Sequence, residues 1–386
     1  MKKLLMVTPL YPFPQKCGLS LRIYDLCKNI KDIFELHLFV LTSEEKVPNT
    51  KEDQSLFKNI TLAENECSSF NEKTNLLKWM KRKISPPHFD DECYFPDHLL
   101  DKLASVHKHE KFDACIIVTP MLGRALKAFP SSVFKIIDTI DIFYQRYMEF
   151  SKIGQGAILN HFRDLDKEIN LYKSADLVIA ISLWDLDFLK SHGIRPIYVP
   201  ISFVPKSLPC KTPQGYDILY PAGRGATNID AIKYFIKDIF PLVKKSKPQT
   251  RFIIINPDND IKNTYRERND IICLPYLDKI EEAYVLADLT VIPLRAGSGI
   301  KIKVLESFSF GKPTLISRTA AQGIYLEGYP QKRISSCPSE MAMEILDTLD
   351  NHEYRNALVK KGLEIIQNEY NSKRVYAALR EKLSQI

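Results

Sequence analysis

Short, nearly continuous apolar runs alternate with helical patterns through the first half of the chain. The runs fall at Leu4–Thr8, Glu35–Thr42, Ala114–Thr119, Phe134–Asp138, Leu177–Ile181 and Ile197–Pro200. Helical spacing of apolar positions appears at Leu19–Ile30, Asp97–His109 and Ile158–Lys173. Strands buried on both faces read as uninterrupted apolar runs, and parallel strands need crossovers of helical length between them. The pattern predicts a parallel sheet with helices on both faces.

Residues 201–215 break this rhythm with Pro-rich, polar sequence of the kind found in linkers. The alternation then restarts. Strands are expected at Asp217–Pro221, Arg251–Asn256, Ile271–Leu274, Leu289–Leu294 and Pro313–Ser317. Helices are expected at Asn228–Lys244, Ile280–Leu286, Ile300–Phe310 and from Ser339 to Ile386, with a break near Asn371 and Ser372. The architecture this predicts is α/β, with two Rossmann-like doubly wound domains facing a central cleft. Ligands of such folds bind at the carboxyl ends of the strands. The expected divisions are 1–203, 204–370 and a closing helix over 371–386.

Composition mainly excludes. A chain of 386 residues is too long for one ordinary core and suits two domains. Net charge is +7, which is mildly basic and does not by itself imply nucleic acid, so none is expected as a partner. The basic excess fits phosphorylated ligands or an anionic lipid surface. The eight cysteines form no C-x-x-C pair, which argues against zinc and thioredoxin-type chemistry. Cys115 and Cys273 sit in strand-like runs, as reduced cysteines do, so a cytoplasmic compartment is expected. The apolar run at the start ends at Pro9, too soon for a secretory signal, and no run approaches the ~20 apolar residues of a membrane span. The histidines lack metal-site spacing, and no Walker loop, G-x-G-x-x-G or Ser-His-Asp set is present. No metal or cofactor is expected.

Residues 289–317 carry the most chemistry. They read as a strand, a small-residue turn at Gly297-Ser298-Gly299, a helix starting near Ile300, a stop at Gly311 and Pro313, and a second strand. A helix N-terminus after a glycine turn offers unpaired N–H groups and partial positive charge, which suits a pyrophosphate. Lys301 and Lys303 add cations where the helix dipole disfavours them, so each calls for an anionic partner. Glu306 lies three residues beyond Lys303, on the same helix face. There its carboxylate can accept hydrogen bonds from both hydroxyls of a ribose. The plainer alternative is an exposed Lys303–Glu306 ion pair.

The run Gly-Ser-Gly-Ile-Lys-Ile-Lys-Val-Leu-Glu, followed by Gly-Lys-Pro, resembles the donor signature of glycosyltransferase family 4, the group 1 glycosyltransferases of GT-B fold. Its nearest branch has G-G-G-x-K-x-K-x-L-E-A. The resemblance implies that Glu306 binds the donor ribose. Many family members have a further Glu eight positions earlier; here that position is Ser298. Pro9–Arg22, with Pro12, Pro14, Gly18 and Arg22, is similar to the family's opening P-x-P…G-x-x-x-R loop, which puts Gly18 near the donor sugar. Ala222-Gly223-Arg224 through Asn228 resembles the loop after the first donor-domain strand, with Thr227 in place of Pro. Leu274-Pro275-Tyr276-Leu277-Asp278 resembles the G-Y-V-x-D turn that holds the base, with Pro275 in place of Gly. Residues 137–147 resemble the branch's D-x-x-D segment, with Ile140-Asp141 where related enzymes often have His-Asp.

Asp138 and Asp141 end an apolar strand, a usual position for groups that do chemistry. Capping of the helix that follows is the other role open to Asp141. Leu76–Ile84 interleaves Lys78, Lys81, Arg82 and Lys83 with Trp79 and Met80, a pattern suited to an anionic membrane surface or to a solvated helix face.

The expectation is thus a cytoplasmic glycosyltransferase, peripheral on the inner face of the plasma membrane if that segment binds lipid. It would move a sugar from a UDP- or GDP-linked donor to a hydroxyl of a glycan or lipid-linked acceptor, in cell-surface polysaccharide or glycoconjugate synthesis. Asp141, Asp138 and Lys303 are the catalytic candidates. Gly18, Arg224, Asn228, Tyr276, Leu277, Ser298, Gly299, Ile300, Lys301, Lys303 and Glu306 are the donor-binding candidates. The resemblance implies retention of configuration without a metal. The alternatives are a nucleotide-sugar 2-epimerase of the same architecture and a catalytically idle nucleotide-sugar-binding subunit.

Overall fold

The computed structural model describes residues 1–15, 17–42, 55–64, 94–156, 163–206, 208 and 217–386. The candidate membrane segment Leu76–Ile84 lies outside them. The chain divides into two compact units. One comprises Met1–Met148, Gly156–Ile201 and Val375–Ile386; the other comprises Glu149–Gln155 and Ser202–Arg374.

The first unit is built on a seven-stranded sheet. Its strands are β1 (Lys2–Thr8), β2 (Phe34–Leu41), β3 (Asn59–Ala63), β4 (Ala114–Val118), β5 (Phe134–Asp138), β6 (Leu177–Ala180) and β7 (Ile197–Tyr198), in the order β3-β2-β1-β4-β5-β6-β7. Every neighbouring pair is parallel. Alternation along β1 shows why both faces are covered. Leu4 and Met6 enter one core with Ile23, Leu26 and Ile30, while Leu5 and Val7 enter the other with Leu99 and Leu103. The helices of this part of the chain are α1 (Gly18–Ile30), α2 (Asp97–Glu110), α3 (Phe143–Lys152), α4 (Leu165–Lys173) and α5 (Leu183–Ser191).

The pattern does not predict β3, α3 or α5. β3 is an edge strand whose residues are mostly half-exposed, so it lacks the continuous apolar run of its neighbours. The start of α5 does carry a signal, since the Ser182 hydroxyl accepts from the Asp185 amide at 3.0 Å.

The second unit holds a five-stranded parallel sheet. Its strands are β8 (Asp217–Tyr220), β9 (Arg251–Ile255), β10 (Ile271–Leu274), β11 (Leu289–Ile292) and β12 (Thr314–Ile316), in the order β10-β9-β8-β11-β12. Its helices are α6 (Ala226–Tyr234), α7 (Phe240–Ser246), α8 (Asn259–Thr264), α9 (Glu281–Leu286), α10 (Ile302–Ser309), α11 (Arg318–Ala321), α12 (Pro338–Asp350) and α13 (His352–Glu369).

The single helix predicted over Asn228–Lys244 is interrupted by a π-helical turn at Phe235–Ile239, where the Phe240 amide donates to the Phe235 carbonyl. Pro241 follows at once and has no N–H to continue the ordinary ladder. The C-terminal helical run breaks at Asn351 as well as near Asn371. The Asn351 side chain caps α13 by accepting from the Tyr354 amide at 2.9 Å. The last helix, α14 (Ser372–Ser384), places Tyr376, Leu379 and Leu383 in the core of the first unit. Among the described residues, no helix is long and apolar enough to cross a membrane.

Candidate functional site

In the second unit the chain runs outward from β8 to β9 and β10, then returns to lay β11 against the other side of β8. The loops that follow β8 and β11 therefore emerge side by side at the carboxyl edge, where open α/β sheets hold their ligands. The first loop carries Gly223, Arg224 and Gly225 and leads into α6. The second carries Gly297, Ser298 and Gly299 and leads into α10.

Gly299 adopts φ +61° and Gly297 φ +151°, conformations that would strain a side chain. The pattern predicts the helix start near Ile300. The ordered turns begin instead at Ile302, because Lys301 is the non-helical cap residue, with ψ 79°. Lys301 is buried, and its ammonium donates to the Gly299 carbonyl at 3.1 Å, across the turn. Val304, Leu305 and Phe308 anchor α10 in the core, each contributing about 1.5–3 kcal/mol of burial. Gly311 closes the helix with φ +61°.

Lys303 is half-buried. Its ammonium donates to the Asn228 side-chain carbonyl and, at 3.3 Å, to the Tyr220 hydroxyl, and it lies 4.8 Å from the centre of the Tyr220 ring. The Tyr220 hydroxyl itself donates to the same Asn228 oxygen at 2.8 Å. Burial pushes the Lys303 pKa down to about 7, although Glu306 pulls the other way.

Glu306 accepts from the Tyr284 hydroxyl at 2.8 Å. Burial raises the pKa of its carboxyl, while the Tyr284 hydrogen bond and the charges of Lys206 and Lys303 oppose the rise. The Tyr284 ring stacks at 4.4 Å on Phe310, the residue that follows α10, so the hydroxyl that holds Glu306 is itself anchored there. The exposed Lys303–Glu306 pair is not what forms: each side chain is half-buried and has its own neutral partner.

The flanks of the site are tied down by further pairs. Arg224 donates to the Asn256 side chain at 3.1 Å, and Asn256, the residue after β9, has φ +45°. Arg295, in the loop after β11, makes a bidentate pair with Asp230, one bond at 3.0 Å, which ties that loop to α6. Ser298 and Ile300 are half-buried. Tyr276, beyond β10, is exposed, while Leu277 packs on the cluster containing Tyr284 and Phe310.

Asp138, Asp141 and Gly18 belong to the first unit. Asp138 is wholly buried at the end of β5 and accepts from Arg22 at 3.0 and 3.2 Å. Arg22 also donates to the Pro200 carbonyl at 2.7 Å. Burial works against its charge, but Asp138, Tyr376 and Asp25 outweigh that and raise its pKa. The Asp138 carboxylate is thus held as the counter-ion of Arg22.

Asp141 is buried and pairs with Arg146 at 3.2 Å. The preceding Ile140 has φ +55°, a costly conformation for a β-branched residue. The first amides of α3, at Phe143 and Tyr144, donate to Glu168 at 2.8 Å each. Glu168 therefore does the capping that sequence alone left open to Asp141. Gly18 is the exposed first residue of α1.

Sequence reasoning does not find Tyr220, Tyr284, Asn256 or the Asp230–Arg295 pair. Each has a partner 22 to 83 residues away in the chain, and no local motif marks them. Among the described residues, no group of three or more His, Cys, Asp or Glu is placed to hold a metal ion.

The glycine turn, the helix start and the strand pair at the switch point all fall within one stretch of sequence that a known family describes. Residues 216–351 match the Glycosyl transferases group 1 family. Solved structures resemble the whole chain. A sucrose-phosphate synthase from Thermosynechococcus elongatus superposes with TM-score 0.74 at 13% identity, covering 100% of this chain and 99% of that one. TarM, known from S. aureus, gives 0.72 at 11% identity over 100% and 99%. Anabaena HepE in complex with UDP gives 0.69 at 13% over 100% of both. At such identities the likeness establishes the fold, which is GT-B. No curated protein matches the sequence.

Proposed function

We propose that the chain is a retaining glycosyltransferase that moves a sugar from a UDP- or GDP-linked donor to a hydroxyl of a glycan or lipid-linked acceptor. The observation that carries this reading is the arrangement at α10 within the group 1 domain. A glycine turn, two lysines and a half-buried glutamate there share one helix start. The complexes of HepE with UDP and of TarM with UDP and α-GlcNAc-glycerol support the class of ligand.

In this reading the helix N-terminus, Lys301, Lys303 and Arg224 receive the diphosphate. Glu306 accepts from the ribose hydroxyls, and Tyr276 and Leu277 flank the base. Ser298, Gly299 and Ile300 lie toward the sugar, and Gly18 and Asp141 are the first unit's candidates for contact with the sugar or acceptor. The acceptor oxygen bonds to the anomeric carbon as the bond from that carbon to the diphosphate breaks. The hydroxyl proton leaves to the departing phosphate or to Asp141. Negative charge grows on the leaving oxygen, where fixed cations lower the barrier. Asp138 acts indirectly, by holding Arg22.

The test is a thermal-shift screen against nucleoside diphosphates and their sugars, followed by acceptor-dependent release of nucleoside diphosphate. A ligand at 100 times its Kd raises stability by about 2.7 kcal/mol, so a match is readily seen. A shift with one base and sugar, then transfer, is expected. Donor turnover without any acceptor would establish the epimerase instead, and donor binding without turnover would establish the idle subunit. The absence of any shift would overturn the donor site.

A further inference from the structure

Lys303 faces a cation's partners with no anion among them. Its acceptors are the Asn228 carbonyl and the Tyr220 hydroxyl, both neutral. The carboxylates nearby are engaged elsewhere: Glu306, one turn along α10, is held by Tyr284, and Asp230 of α6 is paired with Arg295. Lys301 has the same sign and donates to the Gly299 carbonyl. Glu281 of α9 pairs with Lys206 at 3.2 Å.

Tyr220 is placed to organise this arrangement. Its ring is completely buried at the end of β8, so its hydroxyl position is set by the sheet. That hydroxyl donates to Asn228, which turns the carboxamide oxygen toward Lys303. The Asn228 amide nitrogen then lies over the glycine loop, where a Cβ at Gly223 would stand 3.2 Å from it.

We propose that Tyr220 is a positioning residue of the diphosphate site: it fixes the Asn228 carboxamide and, with it, holds the Lys303 ammonium on neutral acceptors only, so that the bound diphosphate supplies the missing negative charge. The inference rests on the donor-site reading above. A carboxylate in the place of Asn228 would neutralise the lysine beforehand and compete with phosphate for it. Neutral acceptors fix the ammonium's position without cancelling its charge. The half-buried ammonium is correspondingly easy to deprotonate, at a pKa of about 7, and an arriving anion should restore the proton.

The experiment compares the parent, Tyr220→Phe and Lys303→Arg, using UDP or GDP (whichever the thermal screen selects) and the corresponding nucleoside. Loss of one hydrogen bond in the cradle should weaken the diphosphate about 3- to 10-fold. Nucleoside affinity should stay the same. Diphosphate affinity of the parent should fall as pH rises above about 7, and Tyr220→Phe should move that midpoint. Calorimetry in buffers of different ionisation heat should show more proton uptake by the parent at pH 8 than by Lys303→Arg, whose guanidinium stays charged.

Equal weakening of nucleoside and diphosphate, or an unmoved pH midpoint, overturns the role of Tyr220. If Tyr220→Phe fails to fold, equal proton uptake by the parent and Lys303→Arg overturns the inference by itself. If the parent binds neither diphosphate, the functional reading falls with it. Binding by the parent together with an unaffected Tyr220→Phe removes only this inference.

Discussion

The Lys303 ammonium donates to the side-chain carbonyl of Asn228, a residue 75 positions earlier in the chain. That contact joins the helix after β11 to the helix after β8, two neighbouring inner strands of the second sheet. It places a cation and a carboxamide at the carboxyl edge, where phosphate-binding folds of this class work.

Two substitutions on α10 should separate phosphate from ribose. Lys303→Met should weaken nucleoside diphosphate more than nucleoside, and should slow turnover beyond the binding loss, since charge grows on the leaving group. Glu306→Gln should weaken monophosphate and diphosphate alike, by roughly 10- to 100-fold, the range of one charged hydrogen bond. Titration of both variants with all three ligands checks this. Parent-like binding throughout would remove the donor site from this helix.

Asp141→Asn should lower turnover by about 100-fold or more, the scale of a lost acid–base contact, and leave nucleoside diphosphate affinity nearly unchanged. Glu168 already receives the first amides of α3, so the melting temperature should change little. A lowered melting temperature with normal turnover would give Asp141 a structural role only.

Arg22→Met should be strongly destabilising. It would leave Asp138, which is completely buried, without its counter-ion. Removing one partner of a buried pair costs about 3–5 kcal/mol. Chemical denaturation of the variant measures the loss, and a change below about 1 kcal/mol would contradict the buried-pair account.

Glu168 should make stability depend on pH. Burial lifts its pKa from the usual 4.5 to about 7, against its hydrogen bonds from Tyr172, Tyr144 and Phe143. Since the folded value is raised, folding favours the protonated form. That contribution is present in full below about pH 4.5 and is lost as pH rises through about 7. The stability of the parent relative to Glu168→Gln should therefore fall by up to about 3 kcal/mol between pH 4.5 and 8. Parallel stability curves for the two proteins would show that the carboxyl does not titrate in this range.

The basic segment Leu76–Ile84 is testable without structure. Each Lys or Arg near an anionic leaflet is worth about 1 kcal/mol. Replacing Lys78, Lys81, Arg82 and Lys83 by Gln should release the protein from vesicles containing anionic lipid at ordinary salt. Sedimentation that is equal for variant and parent, or absent for both, would rule out lipid binding by this segment.

The sequence by itself determined the α/β class and most of the buried strands, because continuous apolar runs have no other stable home than a sheet covered on both faces. It also determined the glycine turn and the stop of α10 at Gly311, since both depend on backbone conformations that local residue type controls. Edge strand β3 escaped it, because a half-exposed strand carries little apolar signal. Only the tertiary structure decided what the charged groups do. Lys303 and Glu306, three residues apart, look like an ion pair along the chain. In the fold Tyr220 and Asn228 take one, and Tyr284 takes the other. Asp138 and Asp141 likewise look equivalent at a strand end, yet Arg22 claims the first and Arg146 the second. Hydrogen bonds and ion pairs act over about 3 Å in space, whatever the distance along the chain, so their pairing becomes definite only when the sheet order brings remote residues together.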